Sequence, residues 1–475
     1  MTAFWNRVRA LLFILPGLLH VSQSYHIQPD LEAENPSDGF KYIDVTGLGT
    51  NFEFYGLDQL EIKVLSSTPV WTVTNMHMSE KFFYGSTDDE SILVSLSRHV
   101  SDDGLHNIVT GTAHDTINGI YYIIKRNGAG KQIVVVKYVE DMNREGDPPE
   151  PPKGHSTITV SNATTSTSNV SPETATTIDL LVVWTEKAEC HYSNLTTGCT
   201  VTSTTQANIE AGIDALKTEA ETVHSNSDTQ ITFNLVRQRD VSGYVGNGNM
   251  SLLLLRIADD SDSYMDDLNT IADTYGSDLI MAVDEDSDST CGYAFFFGGP
   301  SASFSTMSTN CFFAMAYSFT HELGHNMGCD HDRGSNNQCD EKVHKATNYG
   351  YRQPSGLWRT VMAYNCRTDQ CDKGTVTGCP RIPYFSGIAD YTDMNSLGGA
   401  NNNCRGTINA NKAAIAAYRH IGPSPAPTPA PTPAPAVPTP APTPAPTPAP
   451  IFTPAPTPRP TGCAWEVLSL FGFRH

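Results

Sequence analysis

The chain has 475 residues, which is long enough for two or three folded domains. Its 51 acidic side chains outnumber its 30 basic ones and give a formal net charge of -21. Because phosphate binding needs a basic surface, this balance argues against a nucleic-acid or anionic-membrane partner. The sequence contains no run of about 20 apolar residues, so we also expect no membrane anchor.

Residues 1–24 have the features of a secretory signal. Arg7 and Arg9 form a charged start, and the apolar run from Ala10 to Leu19 is too short to span a bilayer. Small residues at 22–24 allow cleavage, so we expect a secreted, extracellular chain that begins at Tyr25. Four sequons would permit N-glycans on such a chain: Asn162, Asn169, Asn194 and Asn249.

Cysteine usage agrees with export. Ten of the 11 cysteines lie between Cys190 and Cys404. An even number confined to one region of an exported chain is typical of disulfides. No Cys-x-x-Cys pair is present, which disfavours a cysteine zinc site. We expect Cys329 to be tied up in a disulfide, and the spacing leaves the pairings open.

Residues 25–145 are predicted to form a β-rich domain. Short apolar runs recur at 60–65, 92–96, 120–124 and 133–139, with glycine, asparagine and aspartate between them. No catalytic constellation stands out in this stretch. Its position suggests a propeptide, and the Pro/Ser/Thr linker at 146–176 offers an exposed site for its removal.

Residues 177–421 alternate strand and helix patterns. Apolar runs at 178–185, 231–236 and 279–283 predict buried strands. Helices are predicted at about 204–224, capped by Thr204 and Thr205, around 264–275, and at 409–420. This alternation predicts an α/β (α+β) domain with helices packed on a sheet.

The stretch 321–332 reads His-Glu-Leu-Gly-His-Asn-Met-Gly-Cys-Asp-His-Asp. On a helix, His321 and His325 share one face about 6 Å apart, so both can bind one Zn²⁺. Glu322 is placed to take a proton from a water on the metal. Gly328 can adopt positive φ, so the helix can stop there and bring His331 round as the third ligand. The fourth position then stays open, which is typical of a catalytic zinc site.

This motif resembles that of the metzincin zinc proteases, which have His-Glu-x-x-His-x-x-Gly-x-x-His followed by a methionine turn. Asp332, directly after the third histidine, is similar to the adamalysin/reprolysin branch, and Met362 in Thr-Val-Met-Ala-Tyr-Asn-Cys corresponds to the turn methionine. The resemblance implies a mixed sheet, a zinc-site helix and an apolar floor formed by Met362. It also implies an edge strand that binds extended peptides, for which residues 291–294 are the candidate.

Two residues downstream of the motif have open roles. Tyr364 stands two residues after Met362, where astacins and serralysins have a tyrosine that reaches the zinc, but a packing role is equally compatible. Arg381 falls where metzincins build the wall of the S1′ pocket, and a guanidinium there would favour acidic substrate side chains. The run 180–185 and the two zinc-site motifs are also similar to bacterial peptidyl-Asp metalloendopeptidases.

Two further hypotheses concern carboxylates. Asp284, Glu285, Asp286 and Asp288 could supply Ca²⁺ ligands, although a solvated acidic loop is the favoured interpretation. Residues 25–189 contain no cysteine, so a propeptide thiol cannot silence the zinc. Asp147 could do so, by resemblance to the aspartate switch of astacins, or it could lie in an ordinary linker turn.

Residues 422–462 form a Pro-Ala-Pro-Thr spacer, predicted to be disordered, and residues 463–475 form a short tail with the odd cysteine. Taken together, the sequence predicts a secreted zinc endopeptidase, made as a zymogen, that cleaves proteins or peptides. Zn²⁺ would be bound by His321, His325 and His331, with Glu322 as general base. The alternative is an adhesion protein on a silent protease scaffold. The spacer and tail favour it, and the complete set of catalytic residues opposes it.

Overall fold

The computed structural model describes residues 26–27, 40–42, 60–62, 69–138 (without 79–80 and 102–106), 175–240 (without 196–198) and 244–419 (without 245, 247, 286–289, 336–337, 341–345, 355, 357, 368–377 and 388–401). The predicted signal, almost all of the linker with Asp147, the spacer and the tail lie outside these residues. None of the described helices has both the length and the apolarity to cross a membrane.

The first part of the chain is built from strands. Seven of them form an antiparallel sheet in the order β2-β10-β9-β8-β7-β6-β5, and three form a smaller sheet in the order β1-β3-β4. Each of the four apolar runs predicted as strands overlaps one of these elements. Their bounds are β1 (His26–Ile27), β2 (Phe40–Tyr42), β3 (Leu60–Ile62), β4 (Trp71–Val73), β5 (Asn75–Met78), β6 (Phe82–Ser86), β7 (Ile92–Val100), β8 (Asn107–Asp115), β9 (Ile120–Arg126) and β10 (Gln132–Tyr138).

The second part contains a mixed five-stranded sheet in the order β12-β11-β13-β15-β14. Neighbouring strands are parallel except at the edge, where β14 runs antiparallel to β15. The expectation of an edge strand at 291–294 is therefore confirmed. The strands are β11 (Thr176–Trp184), β12 (Ile231–Asp240), β13 (Leu279–Asp284), β14 (Gly292–Ala294) and β15 (Phe304–Ser308).

Helices cover both faces of this sheet. They are α1 (Glu186–Tyr192), α2 (Ser203–Asn226), α3 (Met250–Ala258), α4 (Leu268–Tyr275), α5 (Ser318–Asn326) and α6 (Cys404–Ile415). Alternate residues of β11 face opposite layers: Leu180 packs in the cluster that contains residues of α2 and α5, and Leu181 in the cluster that contains residues of α3. This is the arrangement expected for a strand buried on both faces.

Two predicted helix starts are wrong by a few residues. The N-cap of α2 is Thr202 and not Thr204 or Thr205, because the side chains of Thr202 and Thr205 each bond the backbone of the other and form a capping box. The last helix begins at Cys404, five residues before the predicted start, because the side chain of Asn403 accepts a hydrogen bond from Gly406 N.

The β-rich part packs against α2 and the segment that precedes α5. Tyr121 of β9 shares an apolar cluster with Phe313, their ring centroids 5.8 Å apart. Asn208 Nδ2 of α2 donates to the main-chain oxygen of Asn127, at 3.0 Å. The two parts of the described chain are thus joined by buried apolar and polar contacts.

One ion pair in this interface involves a buried histidine. His99 Nδ1 of β7 lies 2.6 Å from Asp214 Oδ2, and its Nε2 lies 3.6 Å from Glu210 Oε2, both carboxylates belonging to α2. Burial by itself lowers the pKa of His99, but the two carboxylates outweigh it and raise the pKa to about 9. The folded protein therefore holds His99 as a cation.

We predict that this pair stabilises the interface in a pH-dependent manner. Its contribution is fully present below the unfolded pKa of about 6.5 and is lost as the pH rises through about 9, since the folded pKa is the raised one. His99→Gln should therefore lower Tm by roughly 3–6 °C at pH 6 and by much less at pH 10 in thermal melts.

The matched control for His99→Gln is Lys217→Gln, which removes a partly exposed ion pair with Glu221 on the same helix. Lys217→Gln should change Tm little at either pH. A loss of Tm for His99→Gln that is the same at pH 6 and pH 10 would contradict the ionic contribution.

Candidate metal centre

Three histidines converge at the end of α5. His321 and His325 occupy consecutive turns of the helix, which stops after Asn326. Gly328 then adopts a φ of 98°, and the chain turns to place His331 in the short strand β16 (Asp330–Asp332). The three Nε2 atoms lie 3.0–3.2 Å from one another, and all three side chains are fully buried.

Main-chain carbonyls orient two of these rings. His321 Nδ1 donates to Val361 O at 2.9 Å, and His325 Nδ1 donates to Cys329 O at 2.8 Å. Because a carbonyl only accepts, Nδ1 carries the proton in both rings, and each Nε2 lone pair is left to face the centre of the triad.

The donor set fits a metal ion. Burial, followed by the charge of His325, lowers the pKa of His321 and of His331 well below the usual value, so both imidazoles are neutral. Tetrahedral nitrogen ligands about 2.0–2.1 Å from zinc would stand about 3.3–3.4 Å apart, close to the spacing of the three Nε2 atoms. Among the residues that the structure describes, these histidines are the one group of three or more candidate ligands that meet.

Glu322 follows His321 on α5, and its side chain lies against the edge strand. Its side chain is fully buried. A Cβ at Gly292 of β14 would stand 2.7 Å from Glu322 Oε1, so only glycine leaves room for the carboxylate there. The side chain predicted to act as general base is therefore held against the strand predicted to bind substrate.

Met362 is fully buried against α5. A Cβ at Gly324, between the two helix histidines, would stand 2.4 Å from Met362 Sδ. Helix and methionine approach this closely only because residue 324 is glycine. The main chain just before Met362 also holds His321, through the Val361 carbonyl.

Tyr364 packs on a candidate ligand. Its ring centroid lies 3.9 Å from that of His331, with 32° between the ring planes. This contact supports the packing role that the sequence left open. The role of its hydroxyl group in catalysis stays a prediction.

A buried ion pair that sequence analysis missed links these segments. Arg352 Nη1 lies 3.0 Å from Asp332 Oδ2, and both side chains are fully buried. Asp332 Oδ1 accepts from Tyr364 N at 2.8 Å, and Arg352 Nε donates to Tyr364 O at 3.0 Å. The residue after the third histidine is thereby tied to the methionine turn. The sequence alone does not indicate that an arginine 20 positions after Asp332 forms an ion pair with it.

Arg381 lies at the start of the metal-site helix. Its Nη1 donates to Ala316 O at 2.9 Å, two residues before α5 begins. Nearby, Glu219 Oε1 of α2 accepts from Met315 N at 3.1 Å. Burial raises the pKa of Glu219 to about 8. Sequence analysis missed Glu219 because it adjoins the apolar stripe of α2.

The acidic loop after β13 is described only in part. The carboxylate of Asp284 is buried and accepts a hydrogen bond from Thr185 Oγ1 at 2.5 Å, so this residue has a structural role. Asp286 and Asp288 lie outside the described residues. The described part of the loop adds no support for a Ca²⁺ site.

Comparisons with known proteins agree with this geometry. A family model described as metallo-peptidase family M12B, reprolysin-like, matches residues 210–332. The peptidyl-Asp metalloendopeptidase of Xanthomonas campestris pv. campestris is 31% identical over 246 residues, 51% of this chain and 52% of that protein. The protein of the same name from Stenotrophomonas maltophilia is 30% identical over 250 residues, 52% of this chain and 54% of that protein.

The chain is similar, over residues 210–332, to the reprolysin-like metallopeptidases of family M12B. It spans about half the length of the curated relatives it matches. A crystal structure of metalloproteinase-II from Bacteroides fragilis is 14% identical and covers 58% of this chain and 81% of that chain. Its TM-score is 0.32.

We predict that the buried pair of Arg352 and Asp332 is essential to the stability of the part that carries the three histidines. Arg352→Met would leave the Asp332 carboxylate buried without its countercharge, which typically costs about 3–5 kcal/mol. Urea denaturation followed by fluorescence should show this loss of unfolding free energy.

The matched control is Arg405→Met, which breaks a pair with Asp228 at 3.7 Å whose side chains are 26% and 60% exposed. An exposed pair of this kind should contribute less than about 1 kcal/mol. Equal losses for Arg352→Met and Arg405→Met would show that burial of the first pair is unimportant.

Proposed function

We propose that this protein is a zinc-dependent endopeptidase that hydrolyses peptide bonds in proteins, with zinc bound by His321, His325 and His331. The observation that carries the proposal is the convergence of three Nε2 atoms from the helix and turn that also carry the buried Glu322. Three histidine ligands leave a fourth position open, as catalytic zinc sites do. When bound, zinc would lower the pKa of a coordinated water and polarise the scissile carbonyl.

In this proposal the chain's own residues position the substrate and move the proton. Among the strands that the structure describes, none pairs with the outer side of the edge strand β14, and a substrate peptide could pair there in extended form. Glu322 would accept the proton of the attacking water at a carboxylate oxygen and later pass it to the leaving amine. The close approach at Gly292 keeps that carboxylate beside the substrate strand.

Replacing Glu322 tests this mechanism. Glu322→Gln should retain zinc, because the ligands are untouched, and should lose at least about 100- to 10,000-fold in casein hydrolysis, the usual contribution of a general base. Zinc content and casein turnover are measured on the same preparation, with and without a chelator.

The control is Glu186→Gln, which changes an exposed carboxylate on α1 and should leave turnover unchanged. Casein hydrolysis by Glu322→Gln at the wild-type rate would refute the assignment. A wild-type protein that binds zinc and never hydrolyses casein would favour the adhesion alternative.

We further propose that the enzyme prefers acidic substrate side chains and that Arg381 provides the preference. The two relatives described above are named peptidyl-Asp metalloendopeptidases. The hydrogen bond from Arg381 to Ala316 O would fix the guanidinium near the start of α5, so that little conformational entropy is lost when it pairs with a carboxylate.

The preference is measured as the ratio of kcat/KM for peptides with aspartate and with asparagine directly after the scissile bond. Arg381→Ala should lower this ratio by roughly 10- to 100-fold, because a charged hydrogen bond is worth about 1.5–3 kcal/mol. Arg256→Ala, on α3 across the sheet, should leave it unchanged. A ratio unaltered by Arg381→Ala would remove Arg381 as the determinant.

We also propose that the chain is secreted as a zymogen, with residues 1–24 as signal, 25–145 as propeptide, 146–176 as the cleaved linker and 177–421 as the protease domain. The contact of Tyr121 with Phe313 supports a propeptide that acts on the segment leading into α5. Limited proteolysis in the linker, followed by separation of the fragments, should raise casein turnover. Equal turnover of intact chain and isolated 177–421 would refute a silencing propeptide.

A further inference from the structure

Among the cysteines that the structure describes, two are thiols although they lie side by side. Disulfides join Cys190 to Cys199, Cys291 to Cys311, and Cys366 to Cys379, and Cys339 is also disulfide-bonded. Cys329 and Cys404 are free and fully buried, so the structure does not contain the disulfide that the sequence predicted for Cys329. Their side chains are within hydrogen-bonding contact of each other.

Cys329 belongs to the turn that carries the third histidine. It lies between His325 and His331, its carbonyl orients the ring of His325, and its N–H donates to Gly324 O at 2.9 Å. Any displacement of Cys329 therefore moves the main chain that positions two of the three candidate ligands.

Cys404 is the first residue of helix α6, which packs against this turn. Asn411 Nδ2 of α6 donates to Met327 O at 2.9 Å. Cys404 Sγ contacts Asn348 O at 3.1 Å, and Asn348 Nδ2 donates to Gly328 O at 2.8 Å. All of these contacts are hydrogen bonds, and none of them is covalent.

We propose that Cys329 and Cys404 form a disulfide that locks the turn between the second and third histidines to α6, and that retention of the metal depends on this bond. The proposal rests on the metal site proposed above and adds its regulation by thiol–disulfide chemistry. The bond would close a loop of roughly 75 residues that includes the methionine turn.

The oxidant we invoke is a low-molecular-weight disulfide of the glutathione class. One cysteine thiolate attacks this small disulfide, which forms a mixed disulfide and releases one small thiol. The second cysteine then attacks the mixed disulfide, which forms the Cys329–Cys404 bond and releases the second small thiol. The two cysteines together lose two protons and two electrons, and the small disulfide is reduced to two thiols. Because both sulfurs are fully buried, the exchange requires α6 to open or occurs before α6 docks.

Peptide mapping of the full-length wild-type protein tests the bond directly. The protein is secreted from an oxidising host, unfolded in denaturant with an alkylating agent present, and digested without reduction. We expect a cross-linked peptide pair that contains Cys329 and Cys404. Recovery of both cysteines in alkylated form would overturn the proposal, and this result does not depend on whether the enzyme is active.

The dependence of metal retention on the bond is tested with Cys329→Ala/Cys404→Ala. Zinc release to a coloured chelator should be about tenfold faster than in wild type, in the range seen when residues that orient metal ligands are changed. Tm should fall by roughly 5–10 °C.

The matched control is Cys190→Ala/Cys199→Ala, which removes a disulfide joining residues nine positions apart at α1. It should release zinc at close to the wild-type rate. Equal release from the two double variants would overturn the link to the metal. Zinc retained by a wild-type protein that does not hydrolyse casein would instead count against the proposed peptidase activity.

Discussion

The arrangement of three imidazole nitrogens is the constraint on which the rest of the histidine-bearing part of the chain depends. Three Nε2 atoms lie within 3.2 Å of one another, a crowded arrangement of nitrogens that a bound cation would stabilise. Hydrogen bonds from the rings to Val361 O and Cys329 O hold it in place. The first carbonyl belongs to the methionine turn and the second to the turn between His325 and His331, so both turns must be held accurately against α5.

Two glycines that allow close packing, and a strained segment just before α5, help to place these turns accurately against the helix. Gly324 admits Met362 to the helix surface, and Gly292 admits Glu322 to the edge strand. Just before α5, Met315 and Tyr317 have φ of 69° and 58°, a left-handed conformation that costs energy in residues other than glycine. Buried Glu219 binds Met315 N and stabilises this bend, which sets the direction in which the metal-site helix begins.

The sequence predicted the features that rest on one short motif or on continuous apolar runs. The strands at 178–185, 231–236 and 279–283 were found because strands buried on both faces need apolar residues throughout. Strand β15 was missed because Ser305, Thr306 and Ser308 lie within it and are buried, where Ser305 bonds Ile280 O across the sheet. The pairs Arg352–Asp332 and Cys329–Cys404 join segments far apart in sequence, and such contacts leave no local pattern to read.

The β-rich part raises a separate question about control of the proposed enzyme. Residues 25–189 contain no cysteine, and the described residues of this part supply no ligand to the histidine cluster. Their contacts include α2 and Phe313, which lies on the path into α5. Cutting the linker would leave these contacts in place, because they are noncovalent. Separation of the two parts, and with it any activation, would then depend on the stability of the interface, which includes the charge on His99.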